Sequence, residues 1–110
     1  MSLTVIIVTS SGEPLPPAGR VTVQILDSSY EDAPAVTLQQ VSADVPRRGQ
    51  TDRLPVSLEL KAARAGLTLR VHVDVDRDGR VSVGDYVSTQ SYPLPLPAPR
   101  TMEIKVSKVT

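Results

Sequence analysis

The chain has 110 residues, no cysteine, and a formal net charge of zero from 12 basic and 12 acidic residues. This length suits one domain, spanning 1-110, with a modest core. The balanced charge argues against a nucleic-acid or anionic-membrane footprint, and Arg47-Arg48 is too short to make a basic patch. Without cysteine there is no disulfide, thiol nucleophile, cysteine zinc site or cysteine-linked lipid.

Hydrophobic residues make up 40% of the chain but aromatics only 3%, all of them tyrosine. The core must therefore come from Val, Ile and Leu, and β-branched side chains favour strands. The first apolar run, TVIIVT (4–9), follows no basic segment and is too short for a leader or a membrane span. As it stands the chain reads as cytoplasmic by default, and as periplasmic or outer-membrane-associated if a leader has been removed. After a turn rich in proline and glycine come RVTVQIL (20–26) and then AVTLQQV (35–41). The second of these is polar, flanked by proline and followed by a long loop, as an edge strand should be.

PVSLELK (55–61) places Val56, Leu58 and Leu60 on one face, and LTLRVHVDV (67–75) does the same with Leu67, Leu69, Val71, Val73 and Val75. Between them LKAARAG (60–66) suits one helical turn capped by Gly66. YVSTQSY (86–92) and TMEIKVSKV (101–109) complete about seven strands at the spacing of a sandwich or barrel. A period of two is the signature of side chains alternating across a strand. The expected fold is all-β: a single antiparallel β-sandwich of two sheets packed face to face, transthyretin-like or immunoglobulin-like. Pro93, Pro95, Pro97 and Pro99 remove backbone donors, so 93–99 reads as an extended crossover whose leucines cover an open end of the sandwich. A docking site for a proline-recognising partner is the other reading of that run.

One stretch carries chemistry. In DVDRDGRVSVGD (74–85), Asp74, Asp76 and Asp78 fall at positions one, three and five, and Gly79 at six. Arg80 at seven offers a backbone carbonyl, Ser82 falls at nine and Asp85 at twelve. Calcium takes roughly six to eight hard oxygen ligands, and this spacing wraps them around one ion. Val81, at eight, is expected to face inward. The twelfth position is Asp rather than Glu, and the flanks are strands rather than helices, so this is no ordinary EF-hand. The competing reading is an acidic hairpin turn, since Asp-Gly is good turn chemistry. A turn accounts for Asp78 and Gly79 but not for four carboxylates, whose repulsion calls for a cation or nearby arginines. Mg²⁺ fits less well, because it demands tighter octahedral geometry.

His72, the sole histidine, falls on the outward face of its strand and reads as solvent-facing. Turn chemistry accounts for the polar cluster Ser28, Ser29, Tyr30, Glu31 and Asp32. No nucleophile elbow or phosphate loop is present. The reading is non-enzymatic. The alternative, a carbohydrate-binding module or small enzyme, would have only Tyr30, Tyr86 and Tyr92 for stacking.

The run GEPLPPAGRVTVQILDSSYEDAPAVTL, the strand LPVSLEL and the stretch RVHVDVDRDGRVSVGDYVSTQSYPL occur in the order found in the YbaY/YscW family of small bacterial lipoproteins, which this chain resembles over most of its length. The resemblance implies a sandwich of seven or eight strands. It also implies a chaperone-like role, since some members are pilot proteins that bind an outer-membrane secretin subunit. The partner expected by resemblance is thus a secretin or another envelope protein.

Overall fold

A computed structural model describes residues 2–27, 36–61, 65–90 and 92–110. The expected helical turn at 60–66 and the polar cluster at 28–32 fall wholly or partly outside them. Eight strands occur among the described residues: β1 (Ser2–Thr9), β2 (Arg20–Asp27), β3 (Val36–Asp44), β4 (Leu54–Glu59), β5 (Leu67–Asp74), β6 (Tyr86–Val87), β7 (Tyr92–Pro93) and β8 (Thr101–Lys108).

The alternation in the sequence becomes the core. Leu3, Val5 and Ile7 of β1 point inward with Val21, Val23 and Ile25 of β2. They meet Val56 and Leu58 of β4, Leu67 to Val73 of β5 at every second position, and Ile104 and Val106 of β8. Each such aliphatic side chain contributes about 1.5–3 kcal/mol by leaving water. Val75 departs from the expected face and is exposed, because the chain leaves β5 at Asp74.

The architecture corrects the expected sandwich. The strands form one sheet in the order β3-β2-β5-β6-β8-β1-β4, with β7 pairing β5, curled nearly into a barrel. The short β6 makes the difference. It pairs with β5 on one side and β8 on the other, joining what would otherwise be two separate layers. The sheet is not wholly antiparallel either. β1 and β8 run parallel, from Thr4↔Thr101 to Thr9↔Val106. The strand expected at 86–92 splits into β6 and β7, with Ser88 between them. The Ser88 hydroxyl accepts the Val71 N–H (3.0 Å), and the Ser88 N–H donates to the Val71 carbonyl (2.9 Å).

Leu15 and Val45 cap one end of the barrel. The Val45 N–H donates to the Gly19 carbonyl (2.9 Å), and the Ala18 N–H donates to the Val45 carbonyl (3.1 Å). At the other end Leu94 is buried, its N–H on the Leu67 carbonyl at 2.9 Å. The proline run thus covers an end as expected, through Leu94 with Ala98 partly buried beside the core, while Leu96 stays exposed.

The barrel does not close by a ladder between its two outermost strands, β3 and β4. A side chain bridges the seam instead. The Gln39 amide donates to the Glu59 carbonyl and accepts the Lys61 N–H at 3.4 Å. β3 is therefore an edge, as expected, and it carries the exposed apolar residues Val36 and Leu38 at its start.

Candidate metal centre

The acidic loop joins β5 to β6. Pairing of His72 with Val87 and Val73 with Tyr86 sets the two strand ends side by side, bringing Asp74 and Asp85 together at the loop's base. Both are buried, at 3% and 1% exposed. The chain between them turns at Arg77 (φ 59°), Gly79 (φ 79°) and Gly84 (φ 97°). Glycine takes these left-handed values without strain, whereas Arg77 pays a backbone cost.

The carboxylates organise the loop's backbone. Asp74 Oδ2 accepts the Gly79 N–H at 2.7 Å, and Asp78 Oδ1 accepts the Arg80 N–H at 2.9 Å. Asp85 Oδ1 accepts the Val75 N–H at 3.0 Å. Asp85 Oδ2 accepts the Ser82 N–H (3.1 Å), the Ser82 hydroxyl (3.3 Å) and His72 Nε2 (3.0 Å). The Ser82 hydroxyl also lies 3.4 Å from Asp76 Oδ2. This is more than a hairpin turn: the loop folds around its own acidic side chains.

One oxygen each from Asp74, Asp76, Asp78 and Asp85 lie within 4.8 Å of one another. The spacing read from the sequence thus brings together its four carboxylates, with the Ser82 hydroxyl beside two of them. Arg80 contacts the cluster through its N–H, donated to Asp78 Oδ1, and not through its carbonyl. Val81 does not face inward but is 59% exposed.

The charge in this cluster is poorly offset. Arg77 turns away to Asp44 on β3, at 2.9 Å. Among the described residues no lysine or arginine pairs with the four aspartates. Burial, and more weakly the Asp85 charge, push the Asp74 carboxyl up, but the Gly79 N–H, Asp76 and His72 outweigh them and leave its pKa lowered. Asp85 behaves alike: burial opposes ionisation, and His72 with the Val75 and Ser82 N–H groups overcomes it. Asp76 moves the opposite way. Its proximity to Asp74, then burial and Asp78, raise its pKa, which is the mark of carboxylates held too close.

One atom stands out. Asp74 Oδ1 is buried and, among the described residues, has no hydrogen-bond partner. Buried polar atoms are almost always satisfied, and an orphan needs an explanation such as a water or an ion. A cation at the cluster supplies one, so the residues present fit a hard divalent ion.

The sequence reading missed His72. It is not a free surface group but is mostly buried, with its side chain 18% exposed against Asp85. It shares the outward face of β5 with Asp74, and that shared face was the available signal. His72 also lines a polar groove of about 400 Å³ on the outer face of β2, β3 and β5, with Thr22, Gln24, Gln40 and Arg70. Of the tyrosines, Tyr86 is buried and the Tyr92 hydroxyl accepts the Lys105 N–H at 3.0 Å; Tyr30 lies outside the described residues. No helix among the described residues is long and apolar enough to cross a membrane.

No family model and no curated protein sequence matches the chain. A solved structure does match: an alternative pilotin from the type II secretion system of Vibrio cholerae. It is 18% identical, with a TM-score of 0.67, over 100% of this chain and 97% of that one. The all-strand, nearly closed barrel described above is therefore similar to the fold of a pilotin.

Proposed function

We propose that this protein is a non-enzymatic, chaperone-like module that binds an extended segment of a protein partner, and that a calcium ion staples its acidic loop. The observation that carries the partner reading is the open seam. Among the described residues β3 and β4 end the strand order and share no ladder, and the Gln39 side chain bridges them. An edge of this kind accepts a partner strand through main-chain hydrogen bonds. The pilotin fold and the resemblance to the YbaY/YscW family support a secretin subunit or another envelope protein as that partner.

Direct binding tests this reading. A purified secretin subunit should bind the wild-type chain. Val36→Lys with Leu38→Lys, two exposed positions on β3, should weaken binding while leaving the melting temperature nearly unchanged. Unimpaired binding by that variant would count against the edge. No binding by the wild type would count against the partner.

The ion reading rests on the buried, unpartnered Asp74 Oδ1. Asp74, Asp76, Asp78 and Asp85, with the Arg80 carbonyl and the Ser82 hydroxyl, are the groups that would hold it. Because an ion binds the folded loop alone, it stabilises the fold by mass action. Calcium should raise the melting temperature and chelator should lower it. Asp76→Ala with Asp78→Ala should erase the difference, and equal melting of the wild type in both conditions would refute the ion.

A further inference from the structure

The ion reading gives Asp85 a difficult task. It stands at the twelfth position, where a longer carboxylate usually reaches the ion, and its own reach is one methylene shorter. A short ligand leaves little room for error, so the carboxylate must be aimed before the ion arrives. The structure holds it in place from several directions. The Val75 N–H fixes Oδ1, while the Ser82 N–H, the Ser82 hydroxyl and His72 Nε2 converge on Oδ2.

Three of these four donors belong to the loop itself and move with it. His72 does not. It sits within β5, two residues before its end, paired with Thr22 of β2 and with Val87 of β6, so its backbone is fixed by strands on both sides. Its ring is mostly shielded, and the carboxylate it holds is 1% exposed. An ionised carboxylate accepts, so Nε2 carries the hydrogen in this contact. His72 therefore ties the loop's last ligand to the rigid sheet, as the outer partners of metal ligands commonly do.

We propose that His72 is a positioning residue of the calcium site, anchoring the Asp85 carboxylate to β5 so that it is preset for the ion. This rests on the calcium reading above and assigns a role to a residue outside the loop motif. It also explains how an aspartate can serve at the twelfth position: the reach lost in the side chain is offset by a fixed aim.

The test measures calcium affinity by titration calorimetry on the full chain, with thermal melts in chelator. His72→Leu removes the donor and keeps the bulk. It should melt within a few degrees of wild type in chelator, yet bind calcium about 10-fold or more weakly. His72→Gln returns an N–H donor and should recover most of the affinity. His72→Val, a good strand former with no side-chain donor, replaces the leucine variant if that one fails to fold. Wild-type affinity in the donor-free variant overturns the proposal. So does a glutamine variant as weak as leucine, which would show that the ring's packing matters and not its hydrogen bond. A wild-type chain that binds no calcium refutes the ion reading itself, a result distinct from either of these.

Discussion

At the scale of single residues the loop is a balance between backbone satisfaction and charge repulsion. Asp74 illustrates both. Its Oδ2 accepts the Gly79 N–H, while its Oδ1 is buried without a partner and close to three other carboxylates. Asp74→Asn keeps the shape and the acceptor for Gly79, removes one negative charge, and adds an N–H that can donate to a neighbouring carboxylate. In chelator at pH 7 this variant should be less stable than wild type, because the fold lowers the Asp74 pKa and so favours its ionised form over a neutral one. It should also lose most of the stabilisation that calcium gives. Urea unfolding with and without calcium reads both effects, and a variant as stable as wild type in chelator would show that the ionised carboxylate is not favoured by the fold. Gly79→Ala isolates the backbone instead. A Cβ there meets nothing within 4 Å, but φ is +79°, so the cost is conformational alone. About 1–2 kcal/mol is expected in chelator from the left-handed strain.

At the scale of elements, the β3–β4 seam lacks a ladder among the described residues. Gln39 is an inward-facing position of β3, opposite buried Ile25 of β2. An apolar residue there would pack, but only an amide can serve both the Glu59 carbonyl and the Lys61 N–H. Gln39→Ala should cost about 1 kcal/mol, the usual net worth of a hydrogen bond. It should also speed hydrogen exchange at Lys61 while leaving β5 unaffected, and exchange unchanged at Lys61 would show that the bridge does not protect the seam. How much of this was legible in the sequence follows from what strands encode. Alternation in PVSLELK and LTLRVHV named the buried faces correctly, because facing depends only on the local period. Pairing does not. Nothing local in TVIIVT or TMEIKVSKV signals that they run parallel, since no turn joins them. The two-residue β6, which merges two layers into one sheet, is too short to have a period at all. The acidic loop was legible for the opposite reason: its geometry is set by residues close in sequence. His72 lay outside that local window and reached the site through strand pairing.

At the scale of the whole molecule, stability should depend on pH through the same loop. Asp74 and Asp85 have pKa values lowered by the fold, while Asp76 has its pKa raised. A carboxyl with a lowered folded-state pKa stabilises the protein above its unfolded value, near 3.9 for aspartate. That stability is lost as pH falls from there through the folded-state pKa. Asp76 works against this, since its ionisation is disfavoured in the fold and acid relieves the strain. Two buried carboxylates in backbone hydrogen bonds should outweigh one exposed one, so the net slope is a loss of stability with acid. In chelator, the urea midpoint should hold nearly level from pH 7 to about pH 5 and then fall steeply below about pH 4. Calcium should raise the midpoint at pH 7 and lose its effect over the same acid range, because protonated carboxyls release the ion. Asp85→Asn tests the assignment. It removes a group with a lowered pKa, so the acid fall should become shallower, and an unchanged slope would place the acid sensitivity elsewhere in the barrel.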